Sequence, residues 1–388
     1  MKPKPLQKKI TRSFESIFQG KPTLIVRAPG RINLIGEHTD YNNGFVLPMA
    51  IEQSLWIALR PRTDRQVSIH SLDLKERAAF SLDRITKEGD TWIEFIKGVA
   101  WVMQNNDMVL TGWEGVIASD IPVGAGLSSS AALEIASLRA FAEVSKLRWD
   151  GLYAAQLGQQ AENDWIGVKC GIMDQMVSSL AQLGRAFFLD CQSLKYDHIF
   201  IAPSLTFIVL DTTTRRVLHE SDYNERRKEC ERAANLLGVS TLRDATPDML
   251  TQKRQALDEV SFRRARHVLQ ENKRVVEAVS GLMFGDGQLL GRLLNESHAS
   301  LKDDFEVTNE ALDEIVSLAR EHKACFGARM TGAGFGGCAI ALVGTRDVQP
   351  FIKFMSENYF QMNGQYPSIL ICSAGQGVGI SSQRRLTP

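Results

Sequence analysis

The stretch from Ser130 to Lys146 constrains the fold most strongly, because its apolar residues recur at helical spacing on two different faces. A helix that is apolar around nearly its whole circumference has no face to offer water and must be buried. We therefore predict a core helix covered by other elements. One face carries Leu133, Ala136, Ala140, Phe141 and Val144, and another carries Ile135, Leu138 and Ala142.

A glycine-rich loop leads into this helix. The strand-like run WEGVIAS at 113–119 is followed by IPVGAGLSSSAALE at 121–134. Glycines let backbone N–H groups approach a ligand closely, and a helix N-terminus carries unpaired donors and a partial positive charge. The loop is therefore suited to phosphate, and its three serines can cap the helix or reach a metal ion. An ordinary capped helix start is the alternative interpretation.

Two common nucleotide fingerprints do not fit this loop. The chain contains no G-x-x-x-x-G-K-[ST], and position 129, where the third glycine of a dinucleotide fingerprint would fall, is serine. A second stretch, MTGAGFGGCAIALV at 330–343, does match G-x-G-x-x-G, but it opens a strand where the fingerprint should open a helix. We interpret this second stretch as a glycine-rich crossover that lines a site.

Residues 31–41, RINLIGEHTDY, gather many polar groups around a short apolar core. A solvated loop would not need Ile32, Leu34 and Ile35, and a buried segment would not tolerate the polar groups without partners. The sequence therefore predicts a segment that is anchored in the core and presents directed polar side chains. These are Arg31, Asn33, Glu37, His38, Asp40 and Tyr41.

Two acidic positions further along the chain suit phosphoryl transfer, which needs Mg²⁺ and a group that orients the nucleophile. Glu162 lies in AEND at 161–164, and Asp174 lies in CGIMDQM at 170–176. Carboxylates are the oxygen ligands that Mg²⁺ takes from proteins. An Asp among apolar residues needs a partner or a raised pKa. For Asp174, a helix N-cap or a buried ion pair is the alternative interpretation.

The chain of 388 residues is long enough for two domains. The pattern restarts near residue 202, and strands and helices mix in both halves, which indicates an α+β or mixed α/β protein. We expect domains at 1–202 and 203–388, with a last strand free to return to the first domain, and loose ends. Predicted strands cover 23–29 (ended by Pro29), 55–62, 65–72, 113–119, 186–191, 205–212, 337–343 and 368–374, and predicted helices cover 92–104, 130–146, 151–164, 221–237, 260–281, 286–299, 308–322 and 347–359.

Charge and composition exclude several classes of partner. The 45 Lys and Arg residues balance the 45 Asp and Glu residues, so no pull toward nucleic acid or an anionic membrane is expected. No apolar run approaches the ~18 residues that would span a membrane. The basic stretch RRARHVLQENKR at 263–274 is interpreted as a solvated helix face. Six cysteines without a C-x-x-C pair predict reduced thiols in a cytoplasmic protein.

Three segments together resemble the motifs of the GHMP small-molecule kinases. They are APGRINLIGEHTDYNNG at 28–44, PVGAGLSSSAALE at 122–134 and MTGAGFGGCAIAL at 330–342, and the first has the form seen in the galactokinases of that family. The AEN…CGIMDQ and SDYNERR segments resemble the same branch. The resemblance implies a two-domain α/β fold. In that fold an N-terminal mixed-sheet domain packs on a C-terminal ferredoxin-like domain, with the active site between them.

The resemblance also implies roles for individual residues. Asp174 would accept the proton of the reacting sugar hydroxyl, and Arg31 would keep it ionised. The implied sugar contacts are Glu37, His38, Asp40, Gly171, Asp174 and Tyr223. The implied ATP contacts are Gly124, Gly126, Ser128, Ser129, Ser130 and Trp92, although a simple core role for Trp92 stays open. The implied Mg²⁺ ligands are Ser130 and Glu162.

The reaction implied by the resemblance is the ATP-dependent phosphorylation of the C1 hydroxyl of α-D-galactose, giving galactose 1-phosphate and ADP. A 1-kinase for N-acetylgalactosamine or another sugar is the alternative of the same class. A non-catalytic sensor of galactose and ATP is the alternative of another class. We expect ATP, Mg²⁺ and a small sugar as ligands, no nucleic acid or membrane partner, and a monomer.

Overall fold

The computed structural model describes residues 5–122, 124–213 and 220–382. Within these ranges the chain forms two sheets with helices packed against them. The strands are β1 Leu24–Ile35, β2 Phe45–Pro61, β3 Gln66–Ser71, β4 Glu76–Ser81, β5 Trp113–Ser119, β6 Arg185–Asp190, β7 Tyr196–Phe200, β8 Leu205–Asp211, β9 Cys325–Thr331, β10 Cys338–Gly344, β11 Ser368–Cys372 and β12 Gly379–Ser382. The helices are α1 Pro5–Phe18, α2 Ile93–Asn105, α3 Ser129–Val144, α4 Gly151–Gln160, α5 Met173–Leu180, α6 Glu220–Leu237, α7 Pro247–Gln252, α8 Glu259–Phe284, α9 Gly287–Asp303, α10 Glu310–Glu321 and α11 Val348–Asn363.

The first sheet is mixed and has the strand order β12-β1-β2-β5-β3-β4, with β6 paired to β2 and β7 to β6. The pairing of β3 with β5 is parallel, and the other pairings in this sheet are antiparallel. Its strand β1, which lies between β12 and β2, does not end at Pro29 as predicted but continues to Ile35. Proline interrupts a ladder only where its missing N–H is needed, and here the register of β1 against β2 shifts between Pro29 and Arg31.

The second sheet is antiparallel and has the order β11-β8-β10-β9. Numbered within that sheet the order is 4-1-3-2, with helices after the first and third strands, which is the ferredoxin-like arrangement. After β11 the chain crosses back, because β12 pairs with β1 of the first sheet. The boundary near residue 202 falls between β7 and β8 and stays a prediction.

The buried helix predicted at 130–146 is confirmed as α3. It packs against β1 and β2 of the first sheet and against α2, α4 and α5. Twelve of its residues are buried, and they lie on more than one face. Even so, no helix in the described part of the chain combines the length and the apolarity needed to cross a membrane.

Two further sequence-based expectations are wrong. The N-terminal end is not loose from residue 5 onward, because α1 buries Ile10 and Phe14 against Trp56 and Val116. Apolar residues four positions apart form a narrow stripe there that the surrounding basic residues obscure. The 263–274 stretch is not simply a solvated face either, since α8 buries Arg264, His267, Glu271 and Arg274.

Candidate active site

Arg31 and Asp174 form a two-pronged ion pair between β1 and the first turn of α5. Arg31 Nε donates to Asp174 Oδ1 at 2.7 Å, and its terminal nitrogen donates to Asp174 Oδ2 at 2.6 Å. The Arg31 side chain is 7% exposed and that of Asp174 is 26% exposed. Two parallel bonds fix the carboxylate in one orientation, while its remaining exposure leaves it accessible to a ligand. The predicted pair is therefore brought together across 143 residues of sequence.

The same arginine contacts the glycine-rich loop. Its second terminal nitrogen donates to the carbonyl of Gly126 at 2.6 Å, and the Arg31 backbone N–H donates to the Leu127 carbonyl at 3.0 Å. Gly124 and Gly126 have φ angles of 71° and 72°, a left-handed conformation that glycine adopts without strain. Val123, between the strand and these glycines, lies outside the described residues.

Ser128 stands at the N-cap of α3 but does not cap it. Its φ is 59° and its side chain makes no capping hydrogen bond to the helix. The hydroxyl instead donates to Asp174 Oδ2. The ordinary capped helix start is therefore not what forms here. The first turn of α3, which begins with the half-buried Ser129 and Ser130, presents its backbone donors beside the Arg31–Asp174 pair.

The second glycine-rich stretch, residues 332–337, is the loop between β9 and β10, and it lies against the first glycine-rich loop. A side chain at Gly332 would lie 3.0 Å from the Gly126 carbonyl, and one at Gly337 would lie 3.5 Å from the Ala125 carbonyl. The two loops therefore touch backbone to backbone, which their glycines make possible. A strand follows the second loop and no helix opens there, so it is not a dinucleotide loop, and its lining of a site stays a prediction.

A buried group of carboxylates lies behind Asp174. Glu162 is held on a π-helical turn, Ala161–Ile166, and its side chain also hydrogen-bonds Ser130. Gln175 donates to Glu162 Oε2 at 2.7 Å and to Glu134 Oε2 at 2.9 Å. Burial, and the nearby negative charge of Asp174, raise the pKa of Glu162 to about 7. In the described ranges no set of three or more His, Cys, Asp or Glu side chains could hold a metal ion by itself.

Glu37 is tied into the protein by several groups. Its carboxylate pairs with Arg329 of β9 and accepts hydrogen bonds from Asn33 Nδ2 at 2.8 Å and from the Gly332 N–H at 3.0 Å. The residue is 2% exposed, and burial raises its pKa to about 7 although Arg329 opposes the rise. Glu37 thus joins the first sheet to the second.

His38 lies in an aromatic cluster with Tyr41, Tyr223 and Phe305. The ring centroids of His38 and Tyr223 are 5.7 Å apart, and those of Tyr41 and Tyr223 are 5.4 Å apart. His38 Nδ1 is 2.9 Å from the Tyr41 hydroxyl, and Nε2 donates to the Ala333 carbonyl at 3.1 Å. Burial lowers the pKa of His38 to about 3, so the ring is neutral at pH 7.

Asp40 and Gly171 meet beside Asp174. A side chain added at Gly171 would place its Cβ 2.0 Å from Asp40 Oδ2, so any larger residue would push the Asp40 carboxylate aside. Burial and then the charge of Asp174 raise the pKa of Asp40 to about 6. Two carboxylates in one small space repel each other unless a ligand or proton separates them. These three predicted residues are therefore neighbours.

Trp92 makes its polar contact with a residue outside the predicted site. It immediately precedes α2, packs half-buried against the core, and its Nε1 donates to Glu76 Oε2 at 2.8 Å. Three functional neighbours were missed from sequence: Arg329, Gln175 and Glu134. A carboxylate inside the all-apolar helix, as at Glu134, was the one available signal.

Comparison with known proteins gives the family. Residues 12–61 match the family model described as the galactokinase galactose-binding signature, and 94–182 and 274–361 match the N-terminal and C-terminal domains of GHMP kinases. A galactokinase of Roseiflexus sp. (strain RS-1) is 42% identical over 371 residues, which are 94% of this chain and 95% of that protein. The chain belongs to the galactokinase family.

Other galactokinases agree with this assignment. That of Chloroflexus aggregans (strain MD-66 / DSM 9485) is 41% identical over 95% of this chain and 96% of its own length. The crystal structure of the Lactococcus lactis galactokinase complexed with galactose superposes with a TM-score of 0.93 at 35% identity, covering 96% of this chain and 99% of that one. A mevalonate kinase at 20% identity and a TM-score of 0.65 shares the fold. The predicted family and the GHMP fold are confirmed, and the chain is an enzyme of the galactokinase class.

Proposed function

We propose that this galactokinase transfers the γ-phosphoryl group of ATP to the C1 hydroxyl of α-D-galactose, giving galactose 1-phosphate and ADP. The observation that carries the proposal is the Arg31–Asp174 pair held against the glycine-rich loop. It sets a proton acceptor beside a phosphate-binding helix N-terminus. No observation favours N-acetylgalactosamine or a non-catalytic sensor.

In the proposed reaction, Asp174 accepts the proton of the C1 hydroxyl as that oxygen bonds to the γ-phosphorus. The bond from that phosphorus to the β-phosphate bridging oxygen breaks, and ADP leaves with the electron pair. Arg31 keeps Asp174 oriented and offsets negative charge that spreads over the transferred group. The contact of Ser128 with Asp174 links the proton acceptor to the loop that would hold the phosphates.

Backbone donors at 124–130 would bind the ATP phosphates, with Ser128 and Ser129 beside them, and Trp92 would lie near the adenine. Ser130 and Glu162 would hold Mg²⁺, for which a hydroxyl and a carboxylate are suitable oxygen donors. The hydrogen bond between the Glu162 and Ser130 side chains supports this, because it places the two oxygen donors side by side, and the nearby negative charge of Asp174 would favour a cation there. When bound, Mg²⁺ neutralises phosphate charge in the transition state.

Sugar recognition would use Asp40, His38, Tyr223 and the Gly171 backbone, with Glu37 as a further contact. The neutral His38 ring and the crowded Asp40 carboxylate are directed groups whose hydrogen bonds a matching sugar would complete. A site built for particular hydroxyls rejects an epimer that lacks them by several orders of magnitude. The direct contact of Glu37 with sugar stays a prediction, since Arg329 and Gly332 already engage its carboxylate.

Replacing Gly171 with alanine is expected to raise the KM for galactose by about 10-fold to 100-fold and to leave the KM for ATP unchanged. The new Cβ would displace the Asp40 carboxylate, and misplacing a binding group by about 1 Å costs this much. Steady-state kinetics with each substrate varied in turn make the measurement. Gly379→Ala is the control, because nothing lies within 4 Å of a Cβ there. An unchanged galactose KM would remove Gly171 and Asp40 from the sugar site.

Replacing Glu162 with glutamine is expected to lower the apparent affinity for Mg²⁺ by about 10-fold to 100-fold, because a neutral amide is a poorer magnesium ligand. The check is a Mg²⁺ titration of ADP release at fixed ATP and saturating galactose. Glu143→Gln is the control, since Glu143 pairs with Arg139 at 2.6 Å away from the carboxylate group. Superimposable Mg²⁺ curves for Glu162→Gln and the parent chain would rule out Glu162 as a ligand.

The remaining predictions concern the setting of the enzyme. We infer a cytoplasmic protein, and the six free thiols support a reducing compartment. A monomer that binds ATP and a small sugar, without nucleic acid or membrane partners, stays our expectation.

A further inference from the structure

Residues 36–45, here called the 36–45 turn, carry His38 and Asp40 and connect β1 to β2. Both ends of the turn meet one face of α8. Glu271 Oε1 accepts the Gly36 N–H at 3.0 Å, and Asn272 Oδ1 accepts the Phe45 N–H at 2.8 Å. His267 Nε2 donates to the Glu37 carbonyl at 3.2 Å. His267 and Glu271 lie one helical turn apart, and Asn272 follows Glu271 directly. A single rigid helix therefore holds the start and the end of the 36–45 turn.

Inside the turn, the chain closes on itself. Thr39 Oγ1 contacts the carbonyls of Gly36 at 2.8 Å and Phe45 at 2.7 Å, and Asn42 Nδ2 donates to the His38 carbonyl at 2.8 Å. Gly36 and His38 have φ angles of 102° and 61°. A non-glycine residue in the left-handed region persists only where its surroundings hold it, so the orientation of His38 depends on these anchors.

Glu271 is the central anchor. It is fully buried, and Arg274 Nε donates to its Oε2 at 2.7 Å while Ser297 Oγ of α9 donates to its Oε1 at 2.6 Å. Burial raises the pKa of this carboxyl, but the positive charge of Arg274 lowers it. The pKa of Glu271 is therefore lowered to about 2. The carboxylate is therefore ionised and accepts from three donors. No group of a bound substrate is needed to explain its burial.

We propose that α8, through Glu271 and its neighbours His267 and Asn272, positions the 36–45 turn for galactose, so that residues of the C-terminal half set the affinity for the sugar. The inference rests on the proposed role of His38 and Asp40 in sugar binding. Glu271 and Asn272 are positioning residues, because they contact the backbone of the turn and no reacting atom.

The chemistry of the donors makes Glu271→Gln a sharp test. Arg274, Ser297 and the Gly36 N–H all donate to Glu271, and an amide has one accepting oxygen and one donating nitrogen. Whichever way the amide turns, its NH₂ faces another donor, at Gly36 or at Arg274. Side-chain shape is preserved, so the change acts through this mismatch rather than through a cavity.

The dissociation constant for galactose, measured by calorimetry without ATP, is expected to rise by about 10-fold to 100-fold in Glu271→Gln, with KM for galactose rising in parallel and KM for ATP unchanged. Asn272→Leu is expected to act in the same direction, and Asn272→Asp, which keeps the accepting oxygen, to restore binding. Because Asn272 is half-buried, the two Asn272 variants test the positioning role even if Glu271→Gln fails to fold. Glu296→Gln, at a surface pair with Arg292, is the matched control and should bind galactose as the parent chain does.

Asp40→Asn distinguishes a failure of the positioning role of α8 from a failure of the proposed sugar site. If it weakens galactose binding while folded Glu271→Gln and Asn272→Leu do not, the positioning role is wrong and the proposed sugar site stands. If the α8 variants weaken galactose and ATP equally, α8 supports the fold only, and the inference is again overturned. If Asp40→Asn also leaves galactose binding unchanged, the proposed sugar site fails and the inference fails with it.

Discussion

Asp174→Asn is expected to lower kcat by about 10³-fold while ATP and galactose still bind. The change removes the proton acceptor, a contribution of typically 10²–10⁴ in rate, and it exchanges an ionised partner of Arg31 for a neutral one. Asparagine keeps the size of the side chain, and Arg31 can still donate to its oxygen. We therefore expect kcat to fall and the KM of each substrate to stay nearly unchanged. Steady-state kinetics and calorimetry of both ligands provide the measurement.

The control for this variant is Asp107→Asn. Asp107 is exposed, and its φ of 60° suits asparagine at least as well as aspartate, so activity should be unchanged there. A fall in kcat of less than about 10-fold in Asp174→Asn would contradict the role of Asp174 as proton acceptor. It would leave positioning and charge stabilisation as the main sources of catalysis.

Arg31→Lys is expected to lower kcat by about 10²-fold to 10³-fold. Arg31 holds both oxygens of Asp174 and the Gly126 carbonyl at once, and an ammonium group cannot reproduce that fork. The proton acceptor and the phosphate loop would both lose their fixed positions, and removal of one preorganised donor costs this much in other enzymes. Because the site would be less ordered, KM for ATP is also expected to rise.

Arg139→Lys is the matched control for Arg31→Lys. Arg139 is 15% exposed on its side chain and forms an ion pair with Glu143 on the same helix, outside the Arg31–Asp174 pair. It should keep parental kinetics and lose only a little thermal stability. If Arg31→Lys retained parental kcat, a point charge at position 31 would suffice, and the two-pronged geometry would have no catalytic consequence.

Much of the fold was predictable from local patterns. The all-round apolar α3 and the strand β5 were predicted to within about two residues, because burial imposes a strong and continuous apolar pattern. The strands β4 and β7 were missed, since ERAAFS and YDHIF are short and polar. The strand β9 was missed because glycine and arginine interrupt CFGARMT. Arg329 of this strand pairs with Glu37, which lies almost 300 residues earlier in the chain.

Some of the site could be predicted from local sequence, and the rest depends on contacts between distant residues. Glycines and serines before a buried helix point to a phosphate loop through local chemistry alone. The roles of Asp174 and Arg31 came from resemblance, and only the fold shows that they form one pair. Glu271 could not be recognised, because its partner Gly36 is 235 positions away. From sequence alone, the basic stretch at 263–274 is interpreted as a solvated helix face, because the groups packed against it are not known.

The most direct test of the proposed activity is the product formed from MgATP and each of four sugars: galactose, N-acetylgalactosamine, glucose and mannose. ADP release gives the rate, and phosphorus–proton NMR identifies the oxygen that carries the new phosphate. Turnover with galactose is expected to exceed that with the other three sugars, and the phosphate is expected on C1. Preference for N-acetylgalactosamine would contradict the proposed pocket. Absence of turnover with every sugar, while galactose and ATP still bind by calorimetry, would contradict the catalytic role of the Arg31–Asp174 pair.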